Sequence, residues 1–313
     1  MRAGPATPRD STRVAAIINP STRGDARALI AALEAACPAS TRLDIYRTTN
    51  PGEAVALANA ASAMAAIVIA VGGDGTVADV VTGLAGAPAM LGIMPAGSTN
   101  ITAQELGIPG RAEDAAALIF GQHRIVTMDV GRCGERRFLH MAGAGLDSHF
   151  FERTSRALKR RVGWLAYVPA ATVAIRQAPA RFTIDVDTRR LIVTSPMVLV
   201  ANGGSIISPV LRLHPDVRSD DGWLDVLVFT ATRPGPIART IWQFVTGSLA
   251  ASPYVVRMRG RAVRLSSDPP LPVQLDGDVV TRTPATFSLE AGGIGVIAPA
   301  TAGGTTVRSD RSS

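Results

Sequence analysis

The segment between residues 14 and 130 constrains the fold most, because apolar strand candidates alternate there with helix-like segments. The strand candidates are VAAII (14–18), RLDIYR (42–47), AAIVIAV (65–71), MLGIM (90–94) and RIVTMDV (124–130). The helix candidates are ARALIAALEAA (26–36), the end of TTNPGEAVALANAAS (48–62), a segment from about Val77, and RAEDAAALIFG (111–121). Strands that are almost entirely apolar and joined by helices predict an α/β domain whose parallel sheet is covered on both faces.

From about Asp129 the pattern changes to short runs of alternating polarity separated by turn residues. These runs are RFTIDVD (181–187), LIVTSPMVLVANGG (191–204), WLDVLVF (223–229), VVRMRGRAVRLSS (255–267), LPVQLDGD (271–278) and ATFSLEAGGIGVIAP (285–299). These runs predict antiparallel β structure, with helices near 151–176 and 235–250. We therefore predict a first domain over 13–128 and a β-rich second domain over 129–292. The segments 1–12 and 301–313 are rich in Gly, Pro, Ser, Thr and Arg, and we expect both to be disordered tails.

The charge of the chain predicts an attraction to polyanions. The net charge is +7 and the pI is about 10.5, which suits nucleic acid, anionic lipid or phosphorylated substrates; the alternative is a high arginine content without such a partner. Aromatic residues make up only 4% of the chain, so no base-stacking surface for nucleic acid is expected.

The sequence predicts a cytoplasmic location. The long uncharged runs are broken by Gly, Pro and Asn, and no basic-then-apolar signal precedes them, so no transmembrane helix or signal peptide is expected. The two cysteines, Cys37 and Cys133, do not form a disulfide framework, and no Cys/His cluster has the spacing of a zinc site.

Three polar loops follow strands of the first domain: NPSTRGD (19–25), GGDGT (72–76) and PAGSTN (95–100). In a parallel sheet they should open on the same edge, where ligands bind. Glycines allow close approach of a phosphate, and the following helix N terminus favours an anion. Thr76 is expected to cap that helix. Asp74 would repel phosphates unless Mg²⁺ or a proton accompanies it. The alternative is a tight strand–helix turn in which Asp is a cap.

Two common nucleotide-binding classes are excluded by lysine content. A Walker loop needs a lysine after its last glycine, and a protein kinase needs a strand lysine. The only lysine is Lys159, in the second region. Phosphate would have to be neutralised by backbone dipoles, Mg²⁺ and arginine.

The ordered motifs INPSTRG, GGDGT, GIMPAGSTNITAQELGIP, ANGG, SDDGWLDVLVF and VQLDGD together resemble the diacylglycerol kinase catalytic family over about residues 13–298. GGDGT alone is shared with NAD kinases. The resemblance implies ATP-dependent phosphorylation of a lipid hydroxyl. It also implies a Rossmann-like nucleotide domain, a C-terminal β-sandwich domain, a cleft between them, and a last strand near 293–298 that returns to the first domain.

The resemblance also implies site residues, taken position by position. The nucleotide would be bound by Asn19, Pro20, Thr48, Gly72, Gly73, Asp74, Gly75, Thr76, Asp79, Gly97, Ser98 and Asn100. Asp278 stands where the family has a glutamate that acts as general base, and Asp276 would share that role or help to hold Mg²⁺; the alternative is a plain hairpin turn. A structural Mg²⁺ site would be formed by the Asp221 side chain and the carbonyls of Arg218 and Trp223, with an Asp-Gly turn as the alternative.

Four positions depart from the family pattern: Ala78 and Asp79 replace Asn-Glu, Ser98 replaces threonine, and Asp278 replaces glutamate.

The segment RALKRRVGWLAYVPAATVAI (156–175) is expected to contact an anionic membrane, because a basic cluster precedes Trp164 and Tyr167. A buried amphipathic helix is the alternative. No histidine is assigned a catalytic role, and a homodimer is a further partner to be tested.

Three functions follow for testing. The first is an ATP:lipid phosphotransferase with Asp74 and Asp278 as the catalytic carboxylates. The second is a NAD kinase, which shares GGDGT but lacks the later motifs. The third is a weakly active or non-catalytic lipid or nucleotide sensor, motivated by Ala78, Ser98 and Asp278.

Overall fold

The computed structural model describes residues 10–20, 25–50, 52–145, 179–205 and 212–300. The segment 156–175, expected to contact membrane, lies outside these residues, as does the C-terminal segment 301–313. The first strand begins at Asp10, inside the segment 1–12 that the sequence predicts to be a tail.

The first half of the chain alternates strands and helices as the sequence pattern predicts. Its elements are β1 (Asp10–Ile18), α1 (Ala26–Ala36), β2 (Arg42–Arg47), α2 (Glu53–Ser62), β3 (Ala65–Gly72), α3 (Asp74–Gly83), β4 (Met90–Pro95), α4 (Ile101–Glu105) and α5 (Ala112–Phe120). The four strands pair in parallel in the order β2-β1-β3-β4. One apolar core joins the sheet to α2 and α3, and another joins it to α1 and α5. The predicted α/β domain with helices on both faces is confirmed.

The second half is mainly antiparallel. Its described elements are β5 (His123–Cys133), β6 (Arg136–Phe138), β7 (Met141–Gly145), β8 (Ala180–Val186), β9 (Arg189–Ser195), β10 (Met197–Ala201), β11 (Leu224–Phe229), α6 (Pro234–Val245), a short 3₁₀ helix (Leu249–Ala251), β12 (Val255–Gly260), β13 (Ala262–Asp268), β14 (Pro272–Leu275), β15 (Asp278–Arg282) and β16 (Ala285–Pro299). A six-stranded sheet has the order β12-β11-β10-β7-β14-β15.

The long strand β16 makes the two halves continuous. Near its end it lies parallel to β4, where Val296 pairs with Leu91, and its first residues pair with β13 in antiparallel register. It also pairs with β5 along most of its length. The large sheet therefore runs β2-β1-β3-β4-β16-β13-β8-β9. Its antiparallel part packs on the six-stranded sheet through a shared apolar core, which confirms the predicted β-sandwich.

Among the described residues, no helix has both the length and the apolar composition needed to cross a bilayer.

Candidate active site

The glycine loop lies where β3 ends and α3 begins. β3 ends at Gly72, and α3 begins at Asp74 with Gly73 as its extended N-cap (φ −91°, ψ −174°). The first helical hydrogen bond runs from the Val77 N–H to the Gly73 carbonyl at 3.1 Å. The prediction that Thr76 caps a helix beginning near Val77 is therefore wrong, because Thr76 is the third residue of α3. The helix begins earlier because the extended Gly73 is its N-cap, and the Gly73 carbonyl accepts the first helical hydrogen bond.

Two residues that follow neighbouring strands lie at the same edge of the sheet. The Asn19 side-chain amide donates to Thr76 Oγ1 at 3.4 Å. Both the N–H and the hydroxyl of Thr48 donate to the Ile18 carbonyl, at 2.9 and 3.3 Å, and the Thr48 side chain is buried. Pro20 is exposed. Asn19 thus contacts the glycine-loop segment through Thr76, whereas Thr48 ties the end of β2 to the end of β1.

The glycine loop and the 95–100 loop touch through their backbones. A β-carbon built on Gly97 would stand 2.5 Å from Gly73 Cα, so position 97 needs a residue without a side chain. A β-carbon on Gly73 would stand 3.1 Å from Gly97 Cα, which is also tight. Asn100, in the left-handed region at φ 49°, closes its own loop: its Oδ1 accepts from the Gly97 N–H at 2.9 Å and its Nδ2 donates to the Gly97 carbonyl at 3.0 Å. Asn100 therefore shapes the loop, while Ser98 is exposed near its tip.

Asp74 joins these two loops. Its Oδ1 accepts a hydrogen bond from the Ile101 N–H, the first residue of α4, at 2.7 Å. Burial raises the pKa of the Asp74 carboxyl above its ordinary value, and the nearby Asp276 adds to the rise, whereas His140 and the Ile101 N–H oppose it. Asp74 is therefore a partly desolvated carboxylate at which a countercharge would be favourable.

Asp276 is held by backbone donors from another strand connection. Asp276 and Gly277, at φ 45° and 97°, form the tight turn between β14 and β15. The Asp276 carboxylate accepts the N–H groups of Leu139, His140 and Met141 at 2.7, 3.0 and 2.9 Å, so both of its oxygens are engaged. This geometry favours a structural role for Asp276, which ties the turn to the start of β7.

Asp278, two residues later, reaches the glycine loop. Its Oδ2 lies 3.2 Å from the position that a β-carbon would take at Gly75, and the residue is exposed. Asp79 lies on α3 and pairs with Arg136 at 2.7 Å. Burial raises the pKa of Asp79, Arg136 opposes the rise, and Asp278 adds to it. A carboxylate of the second domain thus faces the phosphate-loop candidate of the first.

Sequence reasoning missed two residues of this cluster, His140 and Arg136. His140 is 3% exposed, its Nε2 lies 2.8 Å from Thr102 Oγ1, and its Nδ1 lies 3.7 Å from Glu105 Oε2. It connects β7 to α4 behind Asp74. The available signal was a histidine inside the apolar run RFLHMAGAG, a pattern that indicates a buried imidazole but not its partners.

The loop 218–223 contains the residues predicted to bind a structural Mg²⁺. Asp221 forms an ion pair with Arg259 and accepts the Trp223 N–H at 3.1 Å. The Arg218 side chain pairs with Asp220 through two contacts of 2.9 Å. A guanidinium therefore already neutralises Asp221, and a metal would have to displace it. The metal site stays a prediction.

Asp129 fastens this loop to the large sheet. One carboxylate oxygen accepts the Gly222 N–H and the other accepts the Gly292 N–H, both at 2.7 Å. Asp129 is 4% exposed, and its carbonyl also accepts from the Asn202 amide at 2.9 Å. The loop thus has a defined position through contacts within the protein.

The cluster around the glycine loop fits a nucleotide with a divalent cation. Among the described residues, no group of three or more His, Cys, Asp or Glu side chains is arranged to hold a metal alone. Mg²⁺ commonly takes one or two carboxylates together with substrate phosphates and water, and the half-buried Asp74 provides such a carboxylate. Phosphates would meet the glycine backbone and the α3 N terminus, where Gly73 has no side chain in the way.

Two family models match the chain. The model described as the diacylglycerol kinase catalytic domain matches residues 13–133. The model described as the YegS C-terminal NAD kinase beta sandwich-like domain matches residues 140–298. Together they cover both halves of the fold.

Curated relatives carry kinase names. A "Probable lipid kinase YegS-like" protein of Pseudomonas syringae pv. tomato is 30% identical over 269 residues, covering 82% of this chain and 84% of the relative. A "Diacylglycerol kinase" of Staphylococcus aureus is 26% identical over 236 residues, covering 74% of each chain. An uncharacterized protein of Synechocystis is 26% identical over 239 residues, and this chain spans only 54% of its length.

Solved structures share the fold. A crystal structure titled as a diacylglycerol kinase of Bacillus anthracis str. Sterne superposes with a TM-score of 0.71 at 22% identity, covering 93% of this chain and 98% of the other. Another structure from the same organism gives a TM-score of 0.79 at 23% identity, covering 96% and 100%.

Proposed function

Because the chain belongs to the diacylglycerol kinase catalytic family, we propose that it transfers the γ-phosphate of ATP to the hydroxyl group of a lipid alcohol. Diacylglycerol and other glycerolipid or sphingoid alcohols are the acceptors to be tried first. The observation that carries this proposal is the close approach of Asp278, in the second domain, to Gly75 of the glycine loop: Asp278 Oδ2 lies 3.2 Å from the position that a β-carbon would take at Gly75. It brings an exposed carboxylate to the loop that would hold the phosphates.

In this proposal Asp278 accepts a hydrogen bond from the lipid hydroxyl and takes its proton as the oxygen attacks the γ-phosphorus. The bond between the γ-phosphorus and the β,γ-bridging oxygen breaks, and ADP leaves with that electron pair. Phosphoryl transfer depends mainly on positioning and charge neutralisation, so the proton transfer needs only a carboxylate within reach. Asp276 would act by fixing the turn that carries Asp278, since its own oxygens are bound to three backbone donors.

The backbone N–H groups of residues 73–76 would face the phosphate oxygens, since the N terminus of α3 favours an anion. Asp74 would hold Mg²⁺, which when bound neutralises phosphate charge. The raised pKa of Asp74 reflects burial near Asp276, and a cation beside it would offset that cost. His140 and Thr102 would keep α4, and with it the Ile101 donor, in register with Asp74.

The test uses the purified full chain with γ-labelled ATP, Mg²⁺ and mixed micelles that contain a panel of lipid alcohols. We expect a labelled, phosphorylated lipid, identified by mass spectrometry of the lipid extract. Asp74→Asn and Asp278→Asn should each reduce the initial rate by about 100-fold or more. An exposed carboxylate on α1, Glu34→Gln, is the matched control and should leave the rate unchanged.

Other outcomes would replace the proposal. Labelled NADP with NAD as acceptor, and no labelled lipid, would indicate a NAD kinase. Tight ATP binding by calorimetry without turnover on any acceptor would indicate a sensor. By contrast, a low rate that is raised by Asp278→Glu would argue against the sensor, and the short side chain of Asp278 would account for the weak activity.

A further inference from the structure

Helix α6 has an unusual distribution of apolar residues. A surface helix normally turns polar residues to solvent. Here Ile241, Trp242 and Val245 are 39%, 68% and 60% exposed, and Ala238 is exposed on the same side. Positions 238, 241, 242 and 245 fall within about 100° of arc at 3.6 residues per turn. We call these four residues the α6 ridge.

The opposite side of α6 is anchored, which fixes the direction of the ridge. Thr240 is buried, and Phe244 packs on an apolar cluster that includes Met141, Leu199 and Leu227. These three residues lie on β7, β10 and β11 of the six-stranded sheet, and the same sheet contains β14 and β15, which flank the turn with Asp276. The ridge is therefore attached to the sheet that carries Asp278, with its apolar side chains pointing away from that sheet.

The C-terminal turn of α6, which includes Trp242, is fixed by hydrogen bonds. The Thr246 N–H and hydroxyl both donate to the Trp242 carbonyl at 2.9 Å, and the Ser248 N–H donates to the Gln243 carbonyl at 2.7 Å. Trp242 thus stands on a capped last turn and not on a frayed end. Other large apolar side chains that are exposed include Met64, Ile125 and Ile192, which lie in the turn before β3, on β5 and on β9.

Charge indicates what covers the ridge. Residues 230–254 contain two arginines, Arg233 and Arg239, and no acidic residue. Both arginines are exposed, at the start of α6 and beside the ridge. Arg239 lies three residues before Trp242, and Arg233 is the N-cap of the same helix. A helix with exposed arginines, an exposed tryptophan and exposed aliphatic side chains suits the interface of an anionic bilayer. A second copy of this chain, which is basic overall, would be repelled by them.

We propose that the α6 ridge docks on the surface of an anionic lipid bilayer and so holds the protein at the membrane. This inference rests on the proposed lipid kinase function, because a lipid acceptor requires an approach to the membrane. Trp242 would lie at the headgroup level, Ile241 and Val245 would contact acyl chains, and Arg233 and Arg239 would meet lipid phosphates. Docking would raise the local concentration of acceptor without any change at Asp74 or Asp278.

The experiment measures binding of the full chain to sucrose-loaded vesicles of phosphatidylcholine with and without 30% phosphatidylglycerol (roughly one headgroup in three, an anionic share sufficient to attract basic segments). We expect binding that needs phosphatidylglycerol. Trp242→Ala and Val245→Ala should each weaken it by about tenfold, and the Arg233→Gln/Arg239→Gln double variant by about tenfold or more. Ile192→Ala, an aliphatic residue 52% exposed on β9, is the matched control and should bind like wild type.

A second measurement separates this inference from the proposed function. Activity on a short-chain acceptor dissolved below its micelle concentration should be the same for Trp242→Ala and wild type, while activity on vesicles falls. If wild type phosphorylates no acceptor, the proposed function is overturned, whereas the vesicle-binding measurement still tests docking by the ridge. Wild-type binding that is absent, or that is unaffected by Trp242→Ala, would overturn docking by the ridge.

The other occupants of the ridge would be recognised by different results, and each would overturn the proposal. If a second copy covers the ridge, light scattering will show a dimer in wild type and a monomer in Trp242→Ala. If the segment 156–175 of the same chain covers it, Trp242→Ala will lower the Tm by several degrees while vesicle binding is unchanged.

Discussion

The carboxylate of Asp278 lies against Gly75: its Oδ2 is 3.2 Å from the place that a β-carbon would occupy there. The two residues are 203 positions apart in sequence and belong to different halves of the fold. This close approach places the carboxylate proposed to act as base beside the loop proposed to hold phosphate. A side chain introduced at position 75 would therefore move Asp278 by a few tenths of an ångström.

Gly75→Ala should lower kcat without lowering stability. Gly75 lies inside α3, where alanine is favoured over glycine by about 0.5–1 kcal/mol, so the free energy of unfolding should stay level or rise. The added methyl would displace Asp278, and we expect kcat to fall by about tenfold because small errors of position are costly in catalysis. Steady-state kinetics and urea unfolding measure the two effects.

The control for Gly75→Ala is Gly110→Ala, since nothing lies within 4 Å of a β-carbon at Gly110. That variant should match wild type in kcat. An unchanged kcat in Gly75→Ala, beside an inactive Asp278→Asn, would mean that Asp278 adjusts freely and that its contact with Gly75 does not set the rate.

Much of the secondary structure follows from the sequence, because the spacing of apolar residues along a segment depends only on whether that segment is a helix or a strand. The segments 26–36 and 42–47 coincide with α1 and β2, and 285–299 coincides with β16. The pattern failed where one apolar run contains two strands: 191–204 includes the end of β9 and all of β10, with Pro196 between them. The Thr76 prediction failed because glycines were taken as loop, whereas Asp74 begins the helix.

The site was only partly accessible to the same reasoning. Parallel strands place their following loops on one edge, so the grouping of Asn19, the glycine loop and the 95–100 loop could be expected. No periodicity shows that Asp276 binds the backbone of 139–141 or that Arg136 pairs with Asp79. Such contacts depend on how the two sheets pack. The prediction that Asp278 lies near the nucleotide came only from the resemblance to a family.

Asp276→Asn and Asp278→Asn should separate structure from catalysis. Asparagine at 276 tolerates the positive φ but offers an NH₂ group where the carboxylate accepts from Leu139, His140 and Met141. We expect the free energy of unfolding to fall by about 2 kcal/mol or more. Asp278 is exposed, so its variant should unfold like wild type and lose activity. Urea denaturation of both variants measures this, and equal loss of stability would contradict the division of roles.

Mg²⁺ binding at the 218–223 loop should compete with Arg259. Because Arg259 is already paired with Asp221, wild type should gain little Tm from millimolar Mg²⁺ in the absence of nucleotide. Arg259→Gln frees the carboxylate and should show a larger, EDTA-reversible gain of a few degrees. The double variant Arg259→Gln/Asp221→Asn should lose that gain. Thermal unfolding with and without Mg²⁺ decides, and no gain in Arg259→Gln would remove the metal site from consideration.

Asp74→Asn should abolish activity and raise the Tm, by an amount that depends on pH. The pKa of Asp74 is raised above its ordinary 3.8 chiefly by burial, so the folded state prefers the protonated form. That preference stabilises the protein below pH 3.8 and is lost as pH rises through the raised pKa. At pH 7 the charged carboxylate therefore costs stability, and asparagine, which can still accept the Ile101 N–H, removes the cost. We expect the variant to be inactive and to melt about 2–4 °C above wild type at pH 7, with the difference closing towards pH 4. Scanning calorimetry from pH 4 to pH 8 measures the Tm difference between the variant and wild type.

A variant less stable than wild type across that range would mean that the Asp74 charge is already compensated in the folded protein. That result would remove the electrostatic reason for a cation at this carboxylate.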